Sequence, residues 1–278
     1  MIGLGLLFAC AEERGPGAGE GADTQEMVFV NRSILFSREV EGISEGFDLD
    51  GEVSEVGGGT GCGVGDFVAP DGTPGIDNAF ARMLPALEAT EAVAVESLVQ
   101  QAINSGNLLL MVKVSDVDDS RDDPSVDVEV FRGAGAPLLG SDGKMLASQT
   151  FEFDATNAVT TATGVSLVDG VIQADGLALS LPVQIFDVFL DLHLLNASYR
   201  LTAPEEEGAP WAGLMAGGVE TSAIQAIADG GNVDAALGGV VSALLSANAD
   251  LADNGLGGCA ELSMTFETEL VASFLYPE

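Results

Sequence analysis

Basic residues are scarce in this chain. Lys and Arg together number 9 against 44 Asp and Glu, which gives a formal net charge of −35 over 278 residues. Binding to nucleic acid depends on neutralising phosphates, and only Lys113, Lys144 and scattered arginines could do so. Nucleic acid is excluded as a partner on that ground. Histidine is rarer still, with His193 the single one, so most metal-assisted hydrolysis sites lack their ligands. Trp211, Tyr199 and Tyr276 are the only tryptophan and tyrosines, few platforms for a glycosidase cleft built on paired carboxylates. Beyond the N-terminus no apolar run is long enough to span a bilayer as a helix. No repeat of fixed period is visible, and no linker splits the body.

What is present is apolar. Hydrophobic residues make up 47% of the chain and the mean hydropathy is +0.31, too high for a disordered protein. A folded body with an acidic skin is implied. Such a skin serves solubility, in a salty habitat for instance, where ions screen its self-repulsion. It also suits divalent cations.

The opening "MIGLGLLFAC" is a short apolar stub ending in Leu7-Phe8-Ala9-Cys10. It resembles the lipobox of bacterial exported lipoproteins, in which the cysteine is lipidated and becomes the N-terminus. The match lies in Leu7, Ala9 and Cys10; Phe8 departs from it, and no basic residue precedes the stub, which suggests a leader beginning further upstream. The resemblance implies a lipid on Cys10, export and, with Ala at position 11, an outer-membrane anchor facing the periplasm or the surface. Residues 11–26 are rich in Gly, Glu and Ala and read as a flexible tether, so residues 27–278 are expected to form one domain. With Cys10 lipidated, Cys62 and Cys259 remain as an even pair, and a disulfide between them is expected. With its tether, "GFDLDG" at 46–51 and "DFVAPDGTPGIDNAF" at 66–80, the chain resembles acidic, glycine-rich lipoproteins of myxobacteria and their relatives. That resemblance brings no activity with it.

Along the body, "MVFVNRSILFSREV" suggests one or two strands. Asp77 or Asn78 is placed to N-cap a helix through "AFARMLPALEA", with a second piece reaching Gly106. From "NLLLMVKV" the apolar period becomes two, with strands at "VDVEVF", "SQTFEF" and "GVIQAD" and Asp-Gly turns at 142–143, 169–170 and 175–176. Alternation is clearest from Leu177 to Leu201, with a one-residue shift near Leu194–Leu195 that predicts a bulge. Helices follow around 221–248, then two closing strands. This order predicts an α+β fold, a mostly antiparallel sheet with two helical segments (about 78–104 and 221–248) packed on it.

"GISEG" at 42–46 matches G-x-S-x-G, but no helix can follow it and no histidine is placed to serve Ser44. His193 shares a strand face with Asp191 and reads as a polar strand residue. "GGGTGCGVG" satisfies neither G-x-G-x-x-G nor a P-loop. Oxygen chemistry remains. Calcium takes six to eight oxygens, and Asp48, Asp50, Asp66, Asp71, Asp77 and Asn78 offer six side chains on two glycine-rich loops. A second cluster, "SDVDDSRDDPSVD" at 115–127, could act alone. Ordinary turn capping explains either cluster without a metal. The expectation is a non-enzymatic envelope lipoprotein, calcium-binding, structural or adhesive in role. The alternatives are a carrier or chaperone-like module for a hydrophobic ligand, motivated by the apolar strands at 177–201, and a carboxylate-based hydrolase.

Overall fold

The computed structural model describes residues 24–89, 95–185, 188–228, 235–255 and 257–276. In chain order the strands are β1 (Gln25–Phe36), β2 (Phe67–Val68), β3 (Pro74–Ile76), β4 (Leu109–Val117), β5 (Asp123–Ala134) and β6 (Gln149–Phe153). They continue with β7 (Thr160–Val168), β8 (Val171–Ile185), β9 (Val188–Thr202), β10 (Trp211–Glu220), β11 (Leu251–Asp253) and β12 (Cys259–Leu275). Helices α1 (Phe80–Glu88) and α2 (Val95–Asn104) precede β4, and α3 (Thr221–Ala228) and α4 (Ala235–Asn248) precede β11. The stub, Cys10 and nearly all of the tether lie outside the described residues. β1 already begins at Gln25, just before the expected end of the tether.

The α+β expectation is overturned. β1, β4, β5, β7, β8, β9, β10 and β12 pair in that order, antiparallel throughout, and the pairing of β1 with β12 closes the ring. The fold is an eight-stranded closed β-barrel, with four short α-helices among the described residues. Strand alternation looks the same in an open sheet and a closed one. Closure is decided by partners at opposite ends of the chain, such as Val30 beside Val271, which local pattern does not encode. The two closing strands are one continuous strand, β12.

Register fixes which side chains face the lumen. Tyr199 on β9 donates from its hydroxyl to Asn31 Oδ1 on β1 at 2.7 Å and lies 3.2 Å from Thr268 Oγ1 on β12. Asn31 in turn donates to the Leu110 carbonyl of β4. Since β9 and β1 are separated in the ring by β10 and β12, the phenol reaches across the interior. Gly213 on β10 makes room for this: a Cβ there would lie 2.2 Å from Thr268 Oγ1 and 3.1 Å from the Tyr199 ring. Burial pushes the Tyr199 phenol up, so it stays a donor. Tyr199→Phe would leave the buried Asn31 and Thr268 without that partner. A loss of about 1–3 kcal/mol is expected, read as a lower urea midpoint with an unchanged slope.

The helices gather at one end of the ring. α2 touches both β1 and β8, on opposite sides of the barrel, and so crosses that mouth; Gln100 fastens it to the Arg32 carbonyl and Glu96 to the Phe36 amide. The outer wall is covered in two places. β6 bridges β5 and β12 over the outside, burying Phe151 and Met145. Residues 40–79 lie over β10 and β12, where Phe47 packs on Leu214 and Ala216.

Two local expectations are refined. Between Leu194 and Ala197 the pairing with β8 and β10 slips by one residue, with Asn196 left-handed at φ 46°. Asp175-Gly176 is no turn: it is a bulge inside β8, with Gly176 at φ 70°. The strand continues through it because β9 supplies a partner on both sides.

Candidate metal centre

The acidic segment is fixed to the barrel by side chains, and this decides which carboxylates meet. Phe47 and Asp77 form a backbone bridge, with Asp77 N donating to the Phe47 carbonyl at 2.9 Å. That bridge draws the "FDLD" turn onto the end of β3. The Leu49 amide donates to Asp77 Oδ2 at 2.6 Å. Within the turn, Asp48 accepts from Gly51 N and Asp50 from Glu52 N. Gly75, left-handed at φ 86°, lets β3 pass close beside the turn: a Cβ there would stand 3.2 Å from the Glu52 carbonyl oxygen.

The result is a group of three. One carboxylate oxygen from each of Asp48, Asp50 and Asp77 lies within 4.8 Å of the others. Asp48 and Asp50 are exposed, whereas Asp77 is 2% exposed. Among the described residues none of the three forms a salt bridge. Burial pushes the Asp77 carboxyl up to about 8, against the Leu49 hydrogen bond and aided by the charges of Asp50, Asp250 and Asp66. Arg82, the nearby cation, donates to the Gly65 carbonyl and stacks 4.0 Å over the Phe67 ring. These three carboxylates could hold a metal ion.

No family model, curated protein or solved structure matches the chain. What these residues can do therefore rests on their own chemistry.

The other three expected ligands are engaged elsewhere. Asp66 accepts from Ser54 N at 2.5 Å, and burial raises its carboxyl although that bond opposes it. Asp71 caps its own turn by accepting from Thr73 N, which lowers its carboxyl. Asn78 donates to Ser44 Oγ and accepts from Thr265 N of β12. Neither Asp77 nor Asn78 caps α1. The cap is Ala79, whose amide donates to Ser263 Oγ at 2.7 Å. Ser263 Oγ in turn donates to the buried Asp250 at 2.5 Å. Sequence gave no sign of this, because Ser263 and Asp250 lie far downstream.

The second acidic cluster is turn chemistry. Asp123 accepts from Asp118 N and Ser125 N, Asp119 from Arg121 N, and Asp122 from Asp169 N. Ser44 is buried and donates to the Glu45 carbonyl, and no helix follows it, so "GISEG" is not a nucleophile elbow. His193 is exposed on β9 opposite Ser180. Cys62 and Cys259 are joined by a disulfide, tying the acidic segment to the start of β12.

Proposed function

We propose that this is a non-enzymatic, exported envelope protein whose acidic segment is locked onto a β-barrel by calcium at Asp48, Asp50 and Asp77. The observation that carries the reading is the convergence of the almost wholly buried Asp77 with Asp48 and Asp50, one oxygen of each lying within 4.8 Å of the others. Calcium suits such a set because it accepts carboxylate oxygens in flexible geometry and fills its remaining positions with water or carbonyls. Export is supported by the disulfide, which persists in oxidising compartments, and by the lipobox-like Cys10, whose lipid would hold the domain at the outer membrane.

The test is calorimetric titration of calcium into chelator-treated protein. Saturable binding is expected in the native sequence. It should be lost in Asp48→Asn/Asp50→Asn and kept in Asp71→Asn, whose carboxylate serves only its own turn. Absence of binding up to about 1 mM, the weak end of extracellular calcium modules, would sink the reading.

A further inference from the structure

Asp48 has a second neighbourhood. Beside the triad, the outer wall of the barrel carries a cleft of about 350 Å³ whose walls include Phe47, Asp48, Gln173, Asp175, Asn196 and Ser198. Two bulges shape it from the strand side: Asp175-Gly176 on β8 and Asn196 on β9 interrupt the pleat at neighbouring points. The lining is polar, and much of it is uncommitted. Ser198 is 8% exposed and faces away from the lumen, opposite Ala216. Its hydroxyl makes no hydrogen bond among the described residues and lines the cleft. The Asn196 amide is likewise without one there, while the Gln173 amide reaches only Asp175, at 3.2 Å.

We infer that this cleft binds a neutral polyhydroxylated ligand, a saccharide, through amides and hydroxyls on one side and the ion at the triad on the other. The inference rests on the calcium reading above. Three carboxylates leave several of calcium's six to eight positions open, and Asp48 lines both the ion site and the cleft. A vicinal diol lying there would complete the ion's shell with two oxygens and offer its remaining hydroxyls to Asn196, Gln173 and Ser198. Recognition of this kind needs no stacking, which fits a chain with so little tryptophan and tyrosine; Phe47 supplies the one aromatic wall. The carboxylates of Asp48 and Asp175 at the same opening repel uronates, so the preference is for uncharged sugars.

The experiment follows ligand-side NMR saturation transfer from the full chain to methyl α-mannoside, methyl α-glucoside and methyl β-galactoside, with galacturonate as the charged control. Each is run with calcium and with chelator, beside calorimetry of calcium alone. Gln173→Ala/Asn196→Gly removes both amides without touching the triad; glycine suits the left-handed backbone at 196, and a thermal melt confirms folding. Support is a saturation-transfer signal from a neutral sugar that requires calcium and weakens about tenfold or more in the variant, with calcium binding itself unchanged. Calcium binding with no sugar signal overturns this inference and leaves the cation reading standing. A signal that persists in chelator, or undiminished in the variant, overturns it by placing the sugar elsewhere. No calcium binding at all removes both.

Discussion

In the presence of chelator, the protein is expected to become more stable as the pH falls from about 8.5 to about 5, and with saturating calcium the Asp77 share of that slope disappears. Asp77 drives the first half. An ordinary aspartate titrates at 3.8, but desolvation holds Asp77 near 8 and, in the same way, Asp250 near 6. Between those values and 3.8 the native state keeps protons that the unfolded chain has released. The contribution to stability is therefore complete below about pH 4 and is lost as the pH rises through 6 and then 8. Each pH unit of difference corresponds to about 1.4 kcal/mol, so the two groups together make the pH slope of the apo protein steep.

Relief of repulsion in so acidic a protein acts in the same direction, and Asp77→Asn separates the two causes. With the carboxyl gone, the slope between pH 6 and pH 8 should flatten while the general charge term stays. Calcium requires the deprotonated carboxylates, so its affinity rises with pH where protons would otherwise compete. At a hundredfold excess over its dissociation constant it adds about 2.7 kcal/mol, a rise of roughly 5–10 °C for a chain of this size. A thermal melt at five pH values, with and without calcium, checks both halves. A flat apo profile would show that Asp77 is already neutralised by something else.

Loss of the disulfide is the other large effect expected. The two cysteines are 197 residues apart, and the ring they close contains six of the eight barrel strands, β4 to β10 without β6. Such a link restricts the unfolded chain strongly, and removing it costs about 2–5 kcal/mol. For Cys62→Ser/Cys259→Ser the melting temperature should fall by roughly 5–15 °C. The barrel lumen should survive, because the Tyr199 contacts do not depend on the bridge. The acidic segment should loosen first: Cys62 sits left-handed at φ 54° between Ser54 and Asp66, which pair with each other. Faster amide exchange confined to residues 46–66 at temperatures well below the melt would show this. An unchanged melt would mean that the link restricts nothing the fold does not already restrict.

Much of the architecture was legible where the signal is local. The strand runs, the helices near 80–104 and 221–248, the slipped register at Leu194–Ala197 and the pairing of Cys62 with Cys259 follow from alternation, spacing and cysteine number. Barrel closure was not, because it depends on β1 meeting β12 and β5 meeting β7. The candidate site divides in the same way. Six oxygen-bearing side chains stood out, yet only Asp48, Asp50 and Asp77 converge. Whether Asp77 or Asn78 turns toward "FDLD" is decided by β12, where the Thr265 amide claims Asn78. The cleft was invisible for a related reason. Its polar lining comes from two bulges, and one of them looked like a turn.

The meeting of β1 with β12 has a consequence in time. A growing chain exposes β1 long before β12 exists, so the ring cannot close until the final strand has been made. Native topology then forms after synthesis, at the slow pace set by contacts distant along the chain. Until then β1 waits with one side unsatisfied, in need of a holdase or of rapid passage elsewhere. Under the export proposed above, in which the chain would thread a narrow channel unfolded, this delay is no defect: it keeps the chain transportable until β12 is through.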